Sequence, residues 1–395
     1  MPFVKHASLL LWLAAFLWAG LAPAQKATPG PGAQFSVLTC GPGTDLYATF
    51  GHSAFRLRDP RQGIDWVYNY GTFDFQTPNF YVKFARGKLP YALSKQTFDR
   101  FLYTYELEHR WVREQVLDLS PAEARELYDF LETNHQPENR FYRYDFLFEN
   151  CATKIPGVLQ EVLGTPLDYS FAHLEKSQTF RDLIQKNLRR NSWSSFGIDL
   201  ALGAVIDRQA SGPQHAFLPE YVESQIGHAT LEGAPLVKRE RVILDIEPLE
   251  PIFYFTATPL FWALVLLSLT LVITWIDFRN GAQSRVLDFV LFFLTGASGL
   301  VLAFLWFLTD HTATAWNANL LWAFPLNFAI AIWMLFARPK EGLFRPYLLG
   351  LLLCIGGVLL LWIFRVQEFS PIAIPILTAL GVRYAYLLSR INPEP

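Results

Sequence analysis

The stretch Phe146-Leu147-Phe148-Glu149-Asn150-Cys151-Ala152-Thr153-Lys154 decides how the rest of the chain is read. A cysteine follows an aromatic run and an asparagine, and precedes small and polar residues. Beyond it, Ile155, Val158, Leu159 and Val162 recur at helical intervals, which places Cys151 near a helix N-terminus. The partial positive charge of a helix start favours thiolate over thiol, so Cys151 is the candidate nucleophile. A thiolate needs a base. The candidate lies in Gly51-His52-Ser53-Ala54-Phe55-Arg56-Leu57, where Gly51 and Ser53 leave room around His52. An imidazole takes the thiol proton and later returns it to a leaving group. Such partners meet in the fold and need not be near in sequence.

A third polar group orients the imidazole in most such pairs. Residues 46–58 read as a strand carrying His52 and 66–70 as a second strand. Asp59-Pro60-Arg61-Gln62-Gly63 turns between them, giving a hairpin. Alternation puts Asn69 on the face opposite Tyr68 and Tyr70. Asn69 is the candidate orienter; Tyr68 is the next, and Asp145, close to Cys151 in sequence, is a third. The N–H groups at the start of the helix after Cys151 are the candidate oxyanion hole. No His-x-x-x-His spacing, Gly-x-Ser-x-Gly elbow or phosphate-cradling glycine loop occurs, so no metal and no cofactor is expected.

Composition sets the surroundings. The 395 residues suffice for two or three domains. A net charge of −2 and the lack of a nucleic-acid motif argue against a nucleic-acid partner. Residues 1–24 read as a signal peptide: Lys5 and His6, an apolar core from Leu9 to Leu21, then Ala22-Pro23-Ala24. Residues 25–250 are therefore expected outside the cytoplasm. They open on a Pro/Gly linker at 25–34 and continue as an α+β domain. Strands are expected at 35–39, 111–119 and 242–246. Helices are expected at 97–109, from Ser120-Pro121-Ala122-Glu123 to about Thr133, and at 155–163, 172–187 and 219–226. The aromatics of 73–84 are expected to pack over the hairpin.

The chain is 52% hydrophobic, and the excess over a soluble protein lies mostly after Pro251. Five apolar runs, at 259–276, 288–308, 320–337, 346–364 and 371–388, each have about the length that crosses a hydrocarbon core. Arg279 and Arg285 follow the first run, Arg338, Lys340 and Arg345 the third, only Arg365 the fourth, and Arg383 and Arg390 sit at the end. No Lys or Arg separates the second run from the third. This alternation puts 25–250 outside and the C-terminus inside, with 251–395 as an all-α bundle of five transmembrane helices. The polar loop 309–319 would then lie at the outer membrane edge, orienting lipid headgroups or the exported domain, the alternatives being a solvated loop or an Asp310–His311 pair. Of the three cysteines, Cys354 lies in an apolar run, and Cys40 and Cys151 share the exported part, where a disulfide is the alternative to a free nucleophile.

Four motifs in order carry a resemblance: Phe50-Gly51-His52-Ser53-Ala54-Phe55-Arg56; Tyr68-Asn69-Tyr70-Gly71-Thr72-Phe73-Asp74-Phe75; Tyr142-Arg143-Tyr144-Asp145 with Asn150-Cys151-Ala152-Thr153; and Asp310-His311 with Asn317-Ala318-Asn319-Leu320-Leu321-Trp322. Together they resemble the Lnb family of lipoprotein N-acyltransferases over nearly the whole mature chain. The exported part is also similar to the circularly permuted papain-like (NlpC/P60-type) fold. The resemblance implies His52 and Cys151 as the catalytic pair, a phospholipid as acyl donor and the N-terminal amine of a diacylated lipoprotein as acceptor, in the bacterial inner membrane. Rival readings are a periplasmic cysteine peptidoglycan or peptide amidase, and a non-enzymatic envelope module with Cys40 and Cys151 bridged.

Overall fold

The computed structural model describes residues 28–174, 177–247, 253–337 and 341–391; the expected signal peptide lies outside them. In chain order the first part forms β1 (Gln34–Cys40), β2 (His52–Asp59), β3 (Ile64–Thr72), α1 (Phe80–Ala85), β4 (Pro90–Thr97), α2 (Phe98–Leu107), β5 (Val112–Leu117), α3 (Pro121–Asn134), β6 (Phe141–Arg143), α4 (Lys154–Leu163), β7 (Leu167–Tyr169), α5 (Phe180–Lys186), α6 (Trp193–Ala201), α7 (Pro219–Gly227), β8 (Ala229–Leu231), β9 (Ala234–Pro235) and β10 (Val237–Leu244). Among the described residues, an antiparallel sheet of order β10-β5-β1-β2-β3-β4-β6 is the centre of this α+β domain, with a small β7-β8-β9 sheet beside it.

Strand alternation divides the core. Phe35, Val37, Phe55, Leu57, Tyr68 and Tyr70 pack on one face with residues of α3, α4 and α7. Leu38, Cys40, Ala54 and Val67 pack on the other against Phe98, Phe101 and Tyr105 of α2. The hairpin forms as its turn residues imply, with β2 and β3 paired from Asp59–Ile64 to Phe55–Tyr68. There the pairing stops. β2 continues along β1 as far as Cys40–His52, while β3 continues along β4 through a bulge between Asn69 and Thr72. The two strands therefore diverge at the level of His52.

Local details differ from expectation for physical reasons. β2 begins only at His52, because 45–51 form a turn with Ala48 N–H donating to Asp45 and Gly51 N–H to Ala48. Gly51 holds φ +83, where a Cβ would meet the Cys40 carbonyl at 2.7 Å. β4 was not expected, since its residues are mostly half-buried and show no clean alternation. The helix expected over 172–187 starts at Phe180, capped reciprocally by Thr179 and Asp182. The Ser120–Glu123 capping box opens α3 as read. The 73–84 aromatics do not form core: Phe80 is buried, but Phe75, Tyr81 and Phe84 are exposed.

The second part is helical: α8 (Pro259–Asn280), α9 (Arg285–Phe307), α10 (Leu326–Phe336), α11 (Glu341–Ile363) and α12 (Ala373–Ser389). Among the described residues, four stretches are long and apolar enough to cross a bilayer, the third counted from Ala318 to Phe336; α12 is shorter. The third is broken, with a 3-10 turn at Ala318–Leu321 before α10. Its backbone lies in a groove of small residues on α9, where a Cβ on Gly299 would meet the Ala323 carbonyl oxygen at 2.1 Å. Buried Arg383 of α12 pairs with Asp277 of α8 (2.8 Å) and Asp288 of α9 (2.6 Å), offsetting three charges that would be costly alone.

The loop 309–319 fastens the two parts. Asn317 Nδ2 donates to the carbonyls of Leu200 and Ala201, and Asn319 Nδ2 to those of Asp199 and Leu200, at the end of α6. Asp310 accepts from Arg143 at 2.6 Å, and its N–H donates to the Arg86 carbonyl. Of the two roles expected for this loop, its contacts serve the orientation of the domain.

Gly299→Ala should lower the detergent-solubilised unfolding midpoint, at a cost of ~1–3 kcal/mol from overpacking. Gly350→Ala, on an open face of α11, should leave it unchanged.

Candidate active site

Cys151 stands in the turn leading into α4, two residues before the helix cap Thr153. Asn150 holds that turn. Its Oδ1 accepts from the N–H groups of Ala152 (2.8 Å) and Thr153 (2.9 Å), and its Nδ2 donates to the carbonyls of Phe146 (2.8 Å) and Phe217 (2.7 Å). Buried Asn150 thus uses both acceptor positions and both donors, which an aspartate or a leucine cannot do. Cys151 packs onto β3 at Gly71, which has φ +86 and where a Cβ would come within 3.2 Å of Cys151 Cβ.

The gap between β2 and β3 is what the sulfur fills. The backbone N–H groups of Ser53, Ala152 and Cys151 itself reach it, the Ala152 group being shared with Asn150. With Ala152 and Thr153 committed to Asn150, the donors free to meet a developing oxyanion are those of Cys151 and Ser53. This shifts the expected oxyanion hole from the helix start toward the strand. Burial raises the Cys151 thiol above its ordinary value, against the lowering by those N–H groups and by the Arg110 guanidinium. The expectation of a thiolate favoured by the helix start is therefore corrected: the resting group is a thiol, since desolvation outweighs the local dipoles.

His52 opens β2, adjoining the Ser53 N–H that touches the sulfur. Its Nε2 lies 3.2 Å from Asn69 Oδ1. An amide oxygen only accepts, so this contact fixes the proton on Nε2 and leaves Nδ1 free to receive one. Burial lowers the imidazole from 6.5 to about 4, opposed by the Asn69 hydrogen bond and assisted by Arg110, so His52 is neutral at physiological pH. Asn69 is buried, and its Nδ2 has no protein partner.

The other candidates lie elsewhere. Tyr68 points to the opposite face, as alternation requires, and donates to Glu132 at 2.8 Å. Asp145 accepts from the N–H groups of Leu147 and Phe148 and from Thr312, building the turn before Cys151 and tying it to the loop 309–319. Cys40 is free and buried, and burial pushes its thiol up to about 12. Cys151 is also free, so no Cys40–Cys151 disulfide forms and the bridged alternative is set aside. The sequence reading missed Arg110. It is buried, donates to the Gly41 carbonyl at 2.7 Å and pairs with Glu108 at 2.7 Å. Nothing in its local sequence marks it, because its neighbours at the site come from β1, β2 and the Cys151 turn.

Asn150→Ala should cost ~2–4 kcal/mol, since it strands two buried N–H groups and two carbonyls; chemical denaturation of the detergent-solubilised protein measures this. The depressed His52 value adds a pH dependence. Between about 4 and 6.5 the unfolded chain binds a proton that the folded site refuses, so stability climbs with pH across that window and is fully present above it. Unfolding midpoints of His52→Gln should rise less steeply over the same window.

Two family models match the chain. That of the Lnb N-terminal periplasmic domain matches residues 24–186, and that of the Lnb transmembrane domain matches residues 251–392. No curated protein and no solved structure matches it. The matches assign the α+β part to the periplasm and the helical part to a membrane, which makes this a multi-pass membrane protein with a periplasmic domain. With both domains matched, in the family's order and over most of its length, the chain belongs to the Lnb family.

Proposed function

We propose that the chain is a membrane lipoprotein N-acyltransferase working through a thioester on Cys151. The observation that carries this reading is the N–H of Ser53, next to the Asn69-held His52, reaching a clamped, free thiol in a domain fastened to apolar helices. His52 Nδ1 takes the Cys151 proton as the sulfur attacks the carbonyl carbon of a phospholipid ester. The C–S bond forms and the ester C–O bond breaks. The departing glycerol oxygen takes the proton from His52 and leaves as lysophospholipid. The α-amine of a diacylated lipoprotein then attacks the thioester. Its C–N bond forms as the C–S bond breaks, and the amine proton passes through His52 back to sulfur.

In this reading Asn69 orients the imidazole, and the N–H groups of Cys151 and Ser53 receive the oxyanion. The periplasmic domain is taken as a permuted papain-like fold, and all five apolar helices cross the inner membrane, α12 included. Confining enzyme, donor and acceptor to one surface raises their effective concentrations. A burial-raised thiol and a depressed imidazole favour proton transfer during attack over a standing ion pair.

The decisive test is mass spectrometry of a lipoprotein N-terminus in cells lacking their own N-acyltransferase. The wild-type chain should add one acyl group and Cys151→Ala none; an unmodified N-terminus with the wild type overturns the proposal. Asn69→Ala should retain the thiol yet slow acylation by about 10²-fold, the lower end of what general acid–base catalysis contributes. Acyl-enzyme formation should rise as His52 loses its proton near pH 4 and hold level through pH 6.5, the ordinary imidazole value, because the neutral pair is the reactive form.

A further inference from the structure

Tyr144 lies within electrostatic reach of the Cys151 sulfur and stacks on Tyr91, ring centres 4.2 Å apart. Tyr91 meets Phe73 at 5.4 Å, and Phe73 meets Phe75 at 5.1 Å and Phe80 at 5.8 Å. Phe80 in turn touches Tyr81 and Phe84. The ring contacts are unbroken from Tyr144 to α1. Its inner members, Phe73, Tyr91 and Tyr144, are half-buried, and its outer members are bare: Phe75 is 69%, Tyr81 81% and Phe84 50% exposed.

The outer end has a defined place in the fold. The Phe84 carbonyl lies 3.1 Å from His311 Nε2, and the Arg86 carbonyl accepts from Asp310 N–H, so α1 rests on the loop that immediately follows α9. At that end of α9, Phe307 and Leu308 are exposed as well. The exposed apolar face of α1 thus rests on the loop next to the end of α9 that carries exposed Phe307 and Leu308. Arg86, Lys88 and Arg143 stand exposed around it, and the acidic groups nearby are Asp74 and the Arg143-paired Asp310. Aromatic side chains rimmed by cations suit the boundary between acyl chains and phosphate headgroups.

We infer that Phe75, Tyr81 and Phe84 of the α1 region insert into the outer leaflet of the bilayer, and that Phe73, Tyr91 and Tyr144 form the path by which a phospholipid acyl chain lies against Cys151. The second half rests on the acyl-transfer reading; the first does not. Three aromatic rings wide open to water would be a poor surface for a domain facing only solvent, and insertion of α1 brings the covered end of the series to lipid depth.

The test is photolabelling of full-length Cys151→Ala in vesicles of phosphatidylethanolamine and phosphatidylglycerol, with a trace of phospholipid carrying a diazirine in its acyl chain. Peptides bearing Phe75–Phe84, Tyr91 and Tyr144 should be labelled along with the membrane helices. The double substitution Tyr81→Glu and Phe84→Glu, both at exposed positions, should reduce labelling of the Tyr144 peptide about tenfold. Labels confined to residues 259–391 overturn the inference. Labels on α1 that never reach Tyr91 or Tyr144 overturn the path. Because the labelled protein lacks the thiol, neither result depends on acyl transfer, which the lipoprotein mass measurement tests separately.

Discussion

Past Phe55 and Tyr68 the second and third strands stop pairing, and the candidate site exists because of that opening. A continuous ladder would spend the local backbone donors on hydrogen bonds between the strands. The divergence gives a cysteine room between them, with the Ser53 N–H reaching its sulfur. Gly71 makes the approach possible by accepting a left-handed conformation and presenting no side chain. Asn150 then fixes the incoming turn from the other side. Neither element suffices alone: the gap without the clamp would leave the thiol mobile, and the clamp without the gap would have nowhere to seat it.

Burial governs the charge state of this pair more strongly than any neighbour does. The imidazole loses proton affinity and the thiol gains it, so both rest neutral despite a helix start and a guanidinium nearby. Such a pair stores no ion pair in the ground state. In the proposed acyl transfer, charge then separates only when an electrophile arrives, which ties thiol activation to substrate occupancy.

Much of this was legible in the chain before any coordinates. The hairpin turn at 59–63, the face of Asn69, the Ser120–Glu123 cap and the apolar runs each follow from local rules that tertiary context did not override. What escaped was non-local. Asn150 read as a flank of the cysteine, whereas its partners include the carbonyl of Phe217, far along the chain. Arg110 carries no local signature. The aromatics near Phe80 have the composition of a core, and only the position of α1 against the loop at Asp310 shows that half of them face outward. The thiol's protonation was misjudged because a helix dipole can be read from sequence and desolvation cannot.

The carboxamides of Asn317 and Asn319 hold the last turn of α6 by its carbonyls, and Gln367 holds the same loop through the Ala318 N–H. These are fixed struts between a globular head and its membrane base. The elevation of the sulfur is therefore a property of the protein, while the elevation of a lipid's ester carbonyl is a property of the bilayer. A thicker or thinner membrane displaces one against the other, and the head cannot follow by tilting. For the proposed acyl transfer, the thickness of the lipid sheet thus becomes part of the reaction geometry.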